Sequence, residues 1–299
     1  MQAIDSDLEV RAYTQTRSWV SEYWPVFLLA LVMLALYTPV LGRLVRQWYD
    51  DPNYSHGFLV PAFCGYLIWN RRQQIAAIKN SPSAWGAIIA LSSVAVLCLG
   101  SLGSELFLQR ISLVGAIAGL IVYFAGWRRL WAVAFPIAFL LFMIPLPAVI
   151  YNQIVFPLQL LASRLATTCL ETLNLFPVLR EGNLLILDRY TLEVVDACSG
   201  IRSLTSLMAL AMGYSYLAER RLGVRIFLIA GMVPVAIVSN GLRVVITAML
   251  VNYFGIGAAE GFAHSFSGLA VFLVSVMLLL ALHALINKFL PRTAGVSTR

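Results

Sequence analysis

The chain has 299 residues, of which 60% are apolar and only 12% charged, with a mean hydropathy of +0.83. That is too apolar for a water-soluble domain of ordinary composition, so lipid is the solvent for most of its surface. The net charge of +7, from 21 basic and 14 acidic residues, suits the cytoplasmic loops of a helical membrane protein and argues against a nucleic-acid site.

Residues 1–24 are polar and of mixed charge, without the short apolar stretch and small-residue cleavage site of a removable signal, so they read as a cytoplasmic N-terminus before an uncleaved anchor. Eight apolar runs follow as expected membrane helices, at 25–42, 57–69, 85–103, 107–126, 131–146, 200–217, 224–250 and 264–286. The run at 57–69 is short for a full crossing and suits a tilted or re-entrant element. Residues 287–299 read as a cytoplasmic tail, and the whole of 1–299 as a single integral domain.

Basic residues after the even-numbered runs set the orientation: Arg71, Arg72 and Lys79, then Arg128 and Arg129, then Arg220, Arg221 and Arg225, then Lys288 and Arg292. With both termini inside, all of these fall on the cytoplasmic face, as the positive-inside rule requires. Arg43 and Arg46 are the exception, since this topology places them in the first outer loop. The long segment 150–197 is then extracytoplasmic. Its first half repeats apolar residues at Ile154, Leu158, Leu161, Leu165 and Cys169, the period of an amphipathic helix resting on the bilayer. Its second half predicts a small β-hairpin, with strands over 184–187 and 190–195 and a turn at Asp188 and Arg189.

Three reactive residues converge on this topology. Cys198 opens the sixth run and His264 the eighth, both at the outer end. Arg243 lies 19 residues beyond Val224, a climb of roughly 28 Å at about 1.5 Å per residue. A thiolate attacks acyl carbons, a histidine removes the thiol proton near neutral pH, and a cation lowers the thiol pKa or holds an oxyanion. Each residue also has a plainer reading. Cys198 reads alternatively as a small packing residue or as a disulfide partner of Cys169, Arg243 as an arginine snorkelling to headgroups, and His264 as an interfacial residue. Asp196, Ser199, Gly200 and Arg202 surround the thiol in Asp196-Ala-Cys-Ser-Gly-Ile-Arg202, and Asn240 precedes Arg243. Asp196 reads first as a helix cap, and Arg202 as a second site cation or a packing partner. His56, in Tyr54-Ser-His-Gly-Phe58, reaches the same boundary as a rival base or a substrate contact. The four cysteines, Cys64, Cys98, Cys169 and Cys198, have no metal-ligand spacing, and neither a metal nor a cofactor is expected. Arg110 and His283 read as structural.

At these residues the chain resembles the exosortase family, bacterial polytopic membrane enzymes related to archaeosortases. The resemblance rests on Cys198-Ser-Gly-Ile-Arg202, Asn240-Gly-Leu-Arg243, His264 with Gly268, and Tyr54-Ser-His-Gly-Phe-Leu-Val-Pro61, in that spacing over most of the chain. It implies a cysteine protease or transpeptidase of the bacterial inner membrane, with Cys198 as nucleophile and Arg243 and His264 as its partners, facing the periplasm. It further implies exported protein substrates bearing a C-terminal sorting signal of the PEP-CTERM type: a Pro-Glu-Pro-type motif, a membrane helix and a basic tail. An extracellular acceptor would be a further partner if cleavage ends in transfer, and membrane lipids surround the whole. The alternative from another class is a transporter or a lipid- or polysaccharide-export protein, with Arg243, Arg202 and His56 binding an anionic substrate at the outer leaflet.

Overall fold

A computed structural model describes the backbone of residues 2–194, 201–255, 257 and 262–289, and the side chains of residues 24, 27–51, 53–194, 204–255, 257 and 268–289. The chain is polytopic and mostly helical with one small antiparallel sheet, as the apolar runs and the change of period predict. Among the described residues, five helices are long and apolar enough to cross a membrane, or six if a bent pair at 134–143 and 148–172 makes one span. The expected count of eight is not confirmed among the described residues, and the difference lies in three runs. The run at 57–69 becomes α2 (Leu59–Asn70), whose 12 residues reach only about 18 Å at about 1.5 Å per residue. The run at 131–146 is broken into α6 (Trp127–Ala132), α7 (Ala134–Phe139) and a 3-10 turn, Leu140–Met143. The run at 200–217 becomes α9 (Ile201–Ala218), whose described apolar part, Leu204–Ala218, is shorter than a full span.

Two compact units divide the chain: Met1–Asp51 with Ile68–Ala138, and Pro52–Leu67 with Phe139–Arg299. In the first, α1 (Gln2–Asp50) continues as helix well past Gly42, with Leu44 and Trp48 buried. Arg43 and Arg46 therefore lie on a helix instead of in a loop, and Arg43 Nη2 donates to Gln109 Oε1 at 2.6 Å. Arg43 thus has a hydrogen-bonding partner within the protein. The partner helix is α5 (Leu106–Ala125), which forms a hairpin with α4 (Trp85–Leu102). Small residues let the two backbones touch. A Cβ added at Gly119 would stand 2.6 Å from the Ala90 nitrogen, and one at Gly86 would collide with the Tyr123 backbone. Gly126 ends α5 at φ 90°, a left-handed conformation that only glycine adopts cheaply, against the Ser81 carbonyl. Short α3 (Arg72–Ala77) lies in the intervening loop, where Arg129 Nη2 donates to the Ile78 carbonyl at 3.0 Å.

The second unit is built around α10 (Leu222–Phe254), which packs against α8 (Ala148–Thr172), α9 and α11 (Phe262–Phe289). Pro145 and Pro147 precede α8, and the helix axis turns by 78° there because proline removes backbone donors and restricts the residue before it. α8 is amphipathic as predicted, but its packed face is not the large apolar stripe. The buried residues are Val155, Gln159, Ala162, Ser163, Ala166, Thr167 and Leu170, whereas Ile154 and Leu165 are exposed. Helices of a membrane protein meet through small side chains, because lipid solvates large apolar ones equally well.

The predicted hairpin is present, with one strand more. β2 (Leu184–Ile186) pairs with β3 (Thr191–Glu193) around the expected turn, and β1 (Leu179–Glu181) adds to the other edge of β2. Gly182, at φ 63°, and Asn183 form the two-residue β1–β2 turn, a signal readable in the sequence as Gly-Asn. Ser163 Oγ on α8 donates to the Gly182 carbonyl at 3.0 Å and ties the sheet to the helices. Leu185, Leu187 and Val194 from the sheet share one buried cluster with Val244, Val245, Ala248 and Val251 of α10.

Candidate active site

α10 carries a buried polar stripe through an otherwise apolar helix: Ser239, Asn240, Arg243 and Thr247 are all nearly inaccessible. Ionisable and polar groups buried within a membrane helix are costly and need partners, so such a stripe marks a site or a tightly compensated contact. Ser275 Oγ of α11 donates to Ser239 Oγ at 3.0 Å, and Thr247 Oγ1 donates to the Arg243 carbonyl at 2.9 Å. The first bond clamps α11 to α10 just below the arginine. The second occupies a carbonyl of the turn that presents it.

Arg243 is 5% exposed, and its guanidinium lies against Gly268 of α11. A Cβ at Gly268 would stand 3.5 Å from Nη2 and 3.7 Å from Cζ. The missing side chain leaves the space that the guanidinium plane approaches. Position 264 is one turn before Gly268 in α11, so the helix that receives the arginine carries His264 in the preceding turn. The His264 side chain lies outside the described residues.

Cys198, Asp196, Ser199 and Gly200 also lie outside the described residues, as does the Arg202 side chain. Their flanks are described. Upstream, the Val194 amide donates to the Asn183 carbonyl at 2.9 Å, and Val194 is 1% exposed in the cluster shared with α10. Downstream, α9 begins at Ile201.

His56 joins this second unit, although the segments on either side of Pro52–Leu67 belong to the first. It sits on a 3-10 turn, Pro52–Phe58, beside the early part of α9. Its Nε2 donates to the Phe142 carbonyl at 3.2 Å, and its Nδ1 faces Ser206 Oγ of α9 at 3.4 Å. A carbonyl only accepts, which places the proton on Nε2. Burial pushes the His56 pKa below the ordinary histidine value, with the Phe142 and Asn53 backbones opposing, so the ring is neutral and Nδ1 accepts from the serine. The ring lines a cavity of about 200 Å³ together with Tyr54, Phe142, Ile144, Tyr151 and Thr205. The walls are mostly apolar, with a few polar groups, which suits a side chain of a peptide more than a charged metabolite.

Among the described residues, no group of three or more His, Cys, Asp or Glu side chains is placed to hold a metal ion. Sequence reasoning singled out Asn240 and Arg243 but missed Ser239, Thr247, Ser275 and Ser206. Serine and threonine are common in membrane helices, and nothing in a local pattern says which of them meet across an interface.

A family model described as transmembrane exosortase matches residues 48–281. The chain belongs to the transmembrane exosortase family. The matched region begins just before the His56 turn and includes the sheet, α9, α10 and most of α11. Exosortases are membrane-embedded enzymes of cysteine protease or transpeptidase type that act on sorting signals. No curated protein and no solved structure matches the chain.

Proposed function

We propose that this exosortase cleaves the C-terminal PEP-CTERM-type sorting signal of exported proteins at the periplasmic face of the bacterial inner membrane, through an acyl-enzyme on Cys198. The supporting observation is the buried Arg243, lying against Gly268 one helical turn from His264. Chain connectivity adds to it. Val194 packs in the same cluster as Val244 and Val245, the residues next after Arg243. An extended chain advances at most about 3.6 Å per residue, so Cys198 stays within roughly 14 Å of Val194.

In this reading His264 takes the thiol proton, and the Cys198 thiolate attacks the scissile carbonyl carbon. Arg243 stabilises the tetrahedral oxyanion as a permanent cation in a dry site. The carbon–nitrogen bond breaks, the leaving amine takes the proton from His264, and a thioester remains on Cys198. Water releases the shortened protein as an acid, or an acceptor amine releases it as an amide. His264 is preferred to His56 as base because both ring nitrogens of His56 are engaged by Phe142 and Ser206. His56 then serves the pocket wall. Asp196, Ser199, Gly200, Arg202 and Asn240 are assigned to shaping and charging the region around the thiol.

Co-expression of Cys198→Ala, Arg243→Ala and His264→Ala with a reporter carrying a C-terminal sorting signal tests the proposal. Processing, followed as a size shift on a blot, is expected to stop in the Cys198 variant while the protein remains inserted. Normal processing by that variant would refute the nucleophile assignment and favour a transport or export role.

A further inference from the structure

The far end of α10 carries a second polar construction that the proposed chemistry does not use. Glu219, 2% exposed, closes the turn between α9 and α10. Its Oε1 accepts from the backbone amides of Arg220 and Arg221 at 2.7 and 3.0 Å, and its Oε2 accepts from Arg221 Nη2 at 2.7 Å. The same Nη2 reaches Asn287 Oδ1 of α11 at 2.7 Å. Buried His283 lies 3.7 Å from Glu219 Oε2 and 2.7 Å from the Tyr214 hydroxyl. Arg225 donates through Nε to the Glu219 carbonyl at 2.6 Å and lies over the Tyr216 ring. Three helices are thus tied together around one carboxylate, and Arg221 is held in place by it.

Beside this network lies a groove of about 550 Å³, lined by Arg221 and Gly223 at its polar end and by Phe227, Leu282, Leu285 and Phe289 along its length. Phe227, Leu285 and Phe289 are exposed, so the groove opens outward along apolar walls. Arg221 is the charged residue that lines the groove, and further cations follow close by in sequence. Arg220 and Arg225 flank Arg221 in this part of the chain, and exposed Lys288 sits between Asn287, which accepts from Arg221, and Phe289, which lines the groove. Within 219–228 and 282–289 these residues and Arg221 make four cations to one acid, Glu219. Arg221 is also the N-cap of α10, with no side-chain cap bond, so the positive end of the helix faces the same region. The nearest α10 residue lining the groove, Phe227, lies 16 residues before Arg243, roughly 24 Å along the helix.

We infer that this groove is a binding site for an anionic phospholipid of the surrounding bilayer, with an acyl chain against Phe227, Leu282, Leu285 and Phe289 and the headgroup phosphate at Arg221. Charge complementarity selects the headgroup. A zwitterionic lipid offers the same chain, but its own cation opposes the cluster. Basic residues beside a membrane surface favour anionic lipid by about fivefold each, and the fixed position of Arg221 adds geometric selection.

The test uses the full-length protein in detergent, observed by native mass spectrometry with phosphatidylglycerol or phosphatidylcholine of identical acyl chains. Phosphatidylglycerol is expected to be retained at least about tenfold more. Arg221→Gln should reduce that preference roughly fivefold. Because Arg221 also braces the Glu219 turn, Gly223→Leu serves as the second variant. A Cβ there meets nothing within 4 Å, so the side chain starts into open space, and the leucine should occupy the groove and displace both lipids from a folded protein. Equal retention of the two lipids overturns the inference, as does undiminished phosphatidylglycerol retention in Gly223→Leu. Closure of the groove by a second copy, seen as a dimer mass without lipid, also overturns it.

Discussion

Enlarging Gly268 tests whether the guanidinium of Arg243 is held where chemistry needs it. In Gly268→Ala the new Cβ stands 3.5 Å from Nη2 and 3.7 Å from Cζ, ordinary van der Waals contact. Alanine also favours helix over glycine by about 1 kcal/mol, so this variant should unfold in detergent at the same temperature or slightly higher and should process substrate nearly normally. Gly268→Val is different. Its γ carbons extend roughly 1.5 Å beyond Cβ, and one directed at the guanidinium would leave about 2 Å where contact needs about 3.5–4.0 Å. The guanidinium must move by more than about 1 Å, and a displacement of that size at a reacting centre can lower the rate roughly hundredfold. Pulse-chase labelling of a sorting-signal reporter reads the rate, and thermal unfolding of the same variants reads the fold. If the valine variant is stable and processes at the wild-type rate, the position of Arg243 is not part of the chemistry.

Three further outcomes follow from the structure. Gly119→Leu forces apart α4 and α5, whose backbones meet at that position, and should destabilise the first unit by about 1–3 kcal/mol or more, seen as a lower unfolding temperature. His56 has a folded pKa below the ordinary 6.5, so below that pH the unfolded chain binds more protons than the folded one. Stability therefore falls as pH drops from 6.5 toward the folded value, and thermal scans of His56→Gln should show a flatter pH dependence there. Glu219 is held below its ordinary 4.5, first by the Arg221 side chain and then by two backbone amides, with burial opposing. Its contribution is complete above the ordinary value and fades as pH falls below it. Glu219→Gln should lower the unfolding temperature at pH 7, and the gap to wild type should narrow on acidification.

Much of the architecture was legible because lipid leaves few options. Long apolar runs must be helices, and five of the expected runs are helices long enough to span. The loss of the helical period after Cys169, with strands expected over 184–187 and 190–195, located the hairpin and its turn at Asp188 and Arg189. Where expectation and structure differ, length was a poor guide to continuity. The run at 131–146 is apolar throughout, yet it is broken into short pieces. On α8 the sequence showed the large apolar stripe expected to meet the bilayer but not the face that packs against protein, which close backbone approach gives to Ala162, Ser163 and Ala166.

Residue types, their order and their spacing determined the class of this protein and singled out its candidate reactive side chains, because a cysteine, an arginine and a histidine in an apolar chain have few uses. Only the tertiary structure decided which of their neighbours matter. It set Gly268 against the Arg243 guanidinium, bonded Ser275 to Ser239, and engaged both nitrogens of His56 with Phe142 and Ser206. Those partners are 25 to 150 residues apart in the chain, and no local pattern encodes such pairs. They arise because α10 is packed on several sides, so polar groups along it find partners only on the helices that happen to surround it.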